Sequence, residues 1–324
     1  MNFKNCFHAI ASGFSSYFTW LAGKLREANY RIFALTSITM WSLGFVTTRL
    51  SLAYFHPLSI AFLRYFIASI VLIGIAAAFK IKPPDRKDWI WVAVCGISGY
   101  FIYIALFKIA SVTITASTNS IIVATGPVIT AVLAWLIYKE KLKAVQCFAF
   151  VMAFSGILVM TLVNGSIDTN AGVLLTFVGT IFLAIYNITT RKLVKNYSPM
   201  QVVIYSILVG TAALGVFIPL SVADIRAGIP PIGYFYLFIL GVFASALAFV
   251  TWSYAIKKAP NISYVTKFMF LTPFLTTLLG FLMANELPGL ETLLGGLLIL
   301  TGLAIFNFHG AMAKGLIRLV GRGA

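Results

Sequence analysis

Charge is what this chain has least of. Of its 324 residues only 10% are charged and 60% are apolar, against about a quarter charged in soluble domains. Acids are scarcer still, with eight Asp and Glu against 24 Lys and Arg. The three cysteines and three histidines form no disulfide framework and no metal-ligand spacing. Cys95 and Cys147 lie inside apolar runs and read as packing residues. A bilayer takes roughly 20 apolar residues per helical span, so the apolar content suffices for about ten spans and leaves little for a soluble domain. The runs are long and do not alternate, which argues against a β-barrel. A net charge of +16 invites a nucleic-acid partner. The basic residues, however, come in short groups between apolar runs, the pattern that sets membrane orientation. No nucleic-acid partner and no cofactor are expected.

Ten runs meet the length test, near 32–50, 58–79, 89–110, 117–138, 144–163, 171–190, 200–221, 232–255, 263–285 and 288–308. The expected fold is an all-α polytopic membrane protein with ten transmembrane helices. With the amino terminus in the cytoplasm, 19 of the 24 Lys and Arg fall in cytoplasmic segments. Outer segments hold Arg49, Lys108 and Arg226, while Arg64 and Lys267 lie within spans. This bias places both termini in the cytoplasm. Residues 1–31 form an amino-terminal segment and 309–324 a basic cytoplasmic tail. Residues 6–22 read as an interfacial helix on the membrane surface, with an extra span or a targeting segment as alternatives.

One phrase occurs twice. "FVTTRLSLAYFHP" begins at Phe45 and "NITTRKLVKNYSP" at Asn187, 142 positions on. At an offset of 146 the match resumes: Pro127 falls on Pro273, Glu140 on Glu286 and Gly156 on Gly302. The chain therefore reads as two copies of a five-helix unit, 32–163 and 171–308. Five is odd, so the second copy enters the membrane from the opposite side. That is the inverted-topology repeat of secondary transporters, with the solute path at the repeat interface.

"ITMWSLGFVTTRLSL…HPLSIAFLRYF" resembles the opening of EamA-type members of the drug/metabolite transporter superfamily. So do the segments Pro127 to Glu140 and Pro273 to Glu286, each followed by a glycine in the next helix, and "GVFASALAFVTWSYAIKK" resembles the family's eighth helix. The resemblance covers about 32–308. It implies ten spans, an inverted five-plus-five repeat and a central cavity, with export or exchange of small metabolites, often amino acids. The sequence departs from the family pattern at Ser42, at Leu183 (opposite Trp41 in the second copy) and at Asn285, where glycine is common.

Candidate cavity residues are the polar and aromatic groups inside spans: Trp41, Ser42, Arg64, Tyr100, Tyr103, Asn119, Ser120, Tyr186, Asn187, Ser245, Trp252 and Lys267. A charge at the depth of Arg64 is costly; it reads as snorkelling, as a cavity cation for a substrate carboxylate, or as paired with a backbone carbonyl. Lys267, nearer the cytoplasm, reads as snorkelling or as a site for an anionic group. The amides of Asn119 and Asn187 need partners, from a solute or from another helix. Trp252 and Tyr100 read as cavity aromatics or as interfacial belt residues. Pro127 and Pro273 break their spans at matched positions and are candidate hinges. Arg49, Arg191, Glu140 and Glu286, all at span ends, read as gate or anchor residues, the arginines favoured by the helix dipole. Gly295, Gly296 and Gly302 read as packing or a dimer contact.

No acid or histidine lies central in a span, so proton coupling is poorly supported. No paired acids, histidine cluster or activated nucleophile stands at membrane depth, so an enzyme is not expected. The expected function is a secondary transporter, in a bacterial inner membrane, exporting an amino acid or related compound by alternating access. An importer or exchanger of a charged metabolite, nucleotide-like or sulfonium, is the alternative. Partners are a small-molecule substrate and the bilayer, with monomer or homodimer left open.

Overall fold

The computed structural model describes residues 29–138, 144–163, 167–260 and 262–320. The expected interfacial helix at 6–22 and Glu140 lie outside them. Among the described residues every regular element is helical. Seven helices are long and apolar enough to cross a membrane: α2 (Pro57–Ala78), α3 (Arg86–Thr113), α4 (Ala116–Ile137), α6 (Ala171–Leu193), α7 (Pro199–Arg226), α8 (Pro231–Lys258) and α9 (Tyr264–Ala284). With them stand α1 (Tyr30–Ser51), α5 (Ala144–Val163) and α10 (Leu290–Val320), the last continuing past 308 into the expected tail.

Local sequence explains the ends. α1 starts where Asn29 accepts from the Arg31 N–H, and α7 starts at a capping box of Ser198 with Gln201 over Pro199. Both are standard ways to satisfy the orphan N–H groups of a first turn. α1 is rich in hydroxyls. Ser37, Thr48 and Ser51 donate to the carbonyls of Phe33, Gly44 and Thr47 four residues back, which lets a polar helix sit among apolar ones.

Several helices are irregular inside the span region. Proline lacks an N–H and its ring crowds the carbonyl four residues back, and α4 accordingly divides into Ala116–Val123 and Gly126–Tyr138 ahead of Pro127. In α9 a 3₁₀ turn, Lys267–Leu271, precedes Pro273. α8 carries a π-helical stretch, Ile239–Leu247, and α3 a second one at Ile97–Ile102. π turns cluster at functional sites.

α5 packs on α10 along a glycine seam. A Cβ on Gly156 would lie 2.5 Å from the Gly295 carbonyl, and one on Gly302 would lie 2.8 Å from that of Ala149. The small residues of α10 are thus used within the chain. α2 meets α7 at a hydroxyl pair, Ser69 with Thr211 at 2.9 Å. The largest core cluster is aromatic. Tyr100 lies 5.3 Å from Tyr65, 5.3 Å from Tyr186 and 4.8 Å from Phe249, ring centre to ring centre.

Candidate functional site

A small cavity of about 40 Å³ lies at the centre of the bundle. Its walls come from α1 (Trp41, Gly44, Phe45), α2 (Arg64), α3 (Tyr103, Ile104, Phe107), α4 (Val123), α6 (Leu183), α8 (Ala244, Phe249) and α9 with its leading turn (Met269, Thr272). At that volume it has room for water but not for a metabolite.

Arg64 is the one charged side chain in the wall, and it is 4% exposed. Its Nε donates to Ser245 Oγ at 2.8 Å and its Nη2 to the Ala244 carbonyl at 3.1 Å. Both acceptors belong to the π-helical stretch, where Ser245 Oγ donates to the Leu240 carbonyl, five residues back, at 2.7 Å. A π turn disturbs the regular carbonyl ladder, and here the irregular turn presents two oxygens to a guanidinium. Arg64 thus pairs with a backbone carbonyl and faces the cavity, and it does not snorkel. Close approach of α1 to α8 completes this wall, since a Cβ on Gly44 would fall 2.8 Å from that of Ala244.

Beyond the cavity, on the side that the charge pattern assigns to the exterior, polar groups converge. Arg49 Nε donates to Glu286 Oε1 at 2.7 Å, and Arg49 Nη1 donates to the carbonyls of Ser111 and Val112 at 2.9 and 3.1 Å. Glu286 Oε2 accepts from the Ala116 N–H at 3.0 Å. One ion pair thus caps the carboxyl end of α3 and the amino end of α4 together, each with the charge its helix dipole favours. Glu286 is aimed there by its neighbour. Asn285 takes a left-handed conformation, φ 49°, and the Glu286 N–H turns back to the Gly280 carbonyl. Asparagine is a residue other than glycine that adopts this cap readily.

Beneath this pair lies Lys108, fully buried, with Nζ 2.5 Å from Thr48 Oγ1. The charge pattern alone counted Lys108 with the outer segments. Its place near the end of an apolar run disguised it, and α3 in fact continues to Thr113.

Arg191 caps the opposite side in the same manner. It donates to the Ile256 carbonyl, to Ala259 O at 3.2 Å and to Pro260 O at 2.9 Å, at the carboxyl end of α8. Both arginines thus serve a neighbouring helix's terminus, whereas the sequence suggested the dipole of their own.

Among the other candidates, Trp41 and Tyr103 line the cavity, and Ser42 reaches the Thr272 carbonyl at 3.5 Å. Tyr100, Tyr186 and Trp252 are buried in the aromatic cluster beside it and are not belt residues. Trp41 bridges cavity and cluster, 4.9 Å from Trp252 and 5.1 Å from Phe249. Asn187 accepts from Trp252 Nε1 at 2.9 Å. Asn119 donates to Ser111 and accepts from Thr176, and Ser120 donates to the Ser117 carbonyl, so both serve helix packing away from the cavity. Lys267 lies outside the cavity wall, its ammonium 5.0 Å from the Tyr264 ring centre. Pro127 and Pro273 stand at the helix breaks. Sequence reasoning missed Phe107, Phe249, Ala244 and Gly44; an apolar residue facing a cavity carries no mark that separates it from one facing lipid.

Comparison with known proteins fits this architecture. The model of the EamA-like transporter family matches twice, over residues 29–162 and 170–308. A probable terminal-alkyne amino-acid exporter of Streptantibioticus cattleyicolor is 26% identical over 88% of this chain and 94% of its own. An uncharacterized transporter of Archaeoglobus fulgidus is 26% identical over 85% of this chain and 96% of its own. The uncharacterized transporter YdfC of Bacillus subtilis is 26% identical over 82% and 86%. A solved crystal structure superposes with a TM-score of 0.58 at 19% identity, over 86% of this chain and 97% of that one, a likeness of fold. The chain is a multi-pass membrane protein and belongs to the EamA-like transporter family.

Proposed function

We propose that this protein is a secondary carrier that moves a small carboxylate-bearing metabolite through the Arg64 cavity by alternating access. Its ten spans would form two inverted five-helix halves, 32–163 and 171–308, in a bacterial inner membrane with both termini cytoplasmic. Export is the favoured direction, in keeping with the relative named as a probable amino-acid exporter.

One observation carries the reading. A cavity with a single wall cation is lined by helices of both halves, and the Arg49–Glu286 pair lies to one side of it. The inverted repeat draws support from three pairs of contacts. Ser69 and Thr211 are 142 positions apart and bond to each other, as equivalent residues on a twofold axis would. Arg49 and Arg191, also 142 apart, hold the carboxyl ends of α3 and α8, the third helix of each half. Gly96 lies against Ser206 and Val209, and Gly241 lies against Arg64 and Ile67, the counterparts of those two residues at the same offset. Pro127 and Pro273 would then be paired hinges, one for each gate.

Counterflow in proteoliposomes tests the carrier. Vesicles loaded with unlabelled solute should accelerate uptake of the labelled one, and cross-linking of an R49C/E286C pair should abolish uptake until reduction. Uptake unaffected by internal solute and by the cross-link would describe a pore, and the proposal would fail.

A further inference from the structure

We propose that the cavity serves a solute of net negative charge and that Lys108 is its second cationic anchor beside Arg64; this rests on the carrier reading above. Lys108 is fully buried, and Thr48 Oγ1 is the acceptor it meets. An ammonium has three N–H donors, so two remain to be matched. Thr48 Oγ1 in turn donates to the Gly44 carbonyl at 2.6 Å, and Gly44 and Phe107, the residue beside Lys108, both line the cavity. Lys108 is therefore one layer outward of the cavity wall, between it and the Arg49–Glu286 pair.

The chemistry of the surroundings is one-sided. Arg64 uses two of its five donors on Ser245 and Ala244. The buried hydroxyl of its neighbour Tyr65 has no hydrogen-bond partner among the described residues. Among the described residues no acid lines the cavity, and Glu286 is committed to Arg49 and Ala116. Donors are in surplus and carboxylates are lacking. Two buried cations without a buried anion are costly in a medium of low dielectric, and a bound anion removes that cost for both. A zwitterion's ammonium would meet like charge here, and a cationic solute more so. The aromatic walls, Trp41, Phe45 and Phe249, suit an apolar body on that acid. As the outer gate opens, a carboxylate released by Arg64 meets Lys108 next.

The test uses the full chain in proteoliposomes and three radiolabelled probes on one phenyl scaffold: phenylpyruvate, phenylalanine and phenethylamine. Phenylpyruvate is expected to move fastest and to generate a membrane potential read by a voltage-sensitive dye. K108Q should lower its transport by about 10- to 100-fold, the value of one hydrogen bond to a charged group. K108M, which keeps the volume, should do the same. I109A, at the exposed neighbour of Lys108, should stay near wild type. Preference for phenylalanine or phenethylamine overturns the charge assignment while the carrier stands. A K108Q loss shared equally by all three probes, or matched by I109A, reduces Lys108 to packing and overturns its anchoring role. If none of the three crosses the membrane, the carrier reading itself fails and this inference falls with it.

Discussion

Glu286→Gln is the sharpest perturbation of the proposed outer gate. The carboxylate accepts from two donors at once, Arg49 Nε at 2.7 Å and the Ala116 N–H at 3.0 Å. A neutral amide has one acceptor oxygen, and its NH₂ would oppose whichever donor the oxygen leaves. The Arg49 side chain is 36% exposed and that of Glu286 12%. Solvent screening therefore holds the ion pair to about 1 kcal/mol. The bond from Ala116 to the charged carboxylate contributes about 1 kcal/mol more. In the proposed cycle, losing both would tilt the balance of closed and outward-open forms by about 2 kcal/mol, or about 30-fold. A cysteine in place of Phe107, in a chain whose Cys6, Cys95 and Cys147 are replaced, would report it. Phe107 lines the cavity, and its labelling rate by an impermeant thiosulfonate added outside should rise by about that factor. An unchanged rate in a variant that elutes as folded protein refutes the latch. The charge swap R49E/E286R should not restore closure, because a carboxylate at position 49 would face the carbonyls of Ser111 and Val112.

Other outcomes follow from contacts elsewhere. Arg64→Lys should lower transport by about tenfold or more, because an ammonium cannot reproduce the fork that spans Ser245 and Ala244; transport equal to wild type counts against a positioned guanidinium. Gly156→Ala should destabilise the detergent-solubilised protein by about 1–3 kcal/mol, since the new methyl would lie 2.5 Å from the Gly295 carbonyl, and a thermal melt reads it. Tyr197 lies between α6 and α7 and donates to Asp88 Oδ2 at 2.6 Å. That bond to a carboxylate holds its hydroxyl above the ordinary tyrosine value of 10. A raised acid binds its proton more tightly when folded, so its contribution is complete below pH 10 and declines as pH climbs through the raised value. Y197F should remove that alkaline loss, measured as Tm against pH.

The helices were legible because hydrocarbon admits few alternatives to them. The expected limits 58–79 and 232–255 fall close to α2 and α8. Other helices run longer, as with α3 to Thr113, because threonines and serines near the membrane surface end an apolar run without ending a helix. Which face of a span turns inward was harder to read. A helix apolar all round gives no moment to follow, and Phe107 in the cavity wall reads like Phe66, which is exposed on the outside of α2. Polar residues drew the eye, yet Asn119 spends its amide on Ser111 and Thr176. Lys108 was hidden in plain view, since a lysine near a run's end passes for an anchor until the fold buries it.

The widened turn of α8 carries one further implication. A π stretch holds surplus chain within a single turn. Were Ile239–Leu247 to wind back to α pitch, the part of α8 beyond it would swivel by about 100° per residue expelled and slide by about 1.5 Å. Phe249 and Trp252 ride on that part, so one local rewinding would sweep two rings past the chamber floor while the helix kept its hydrogen bonds.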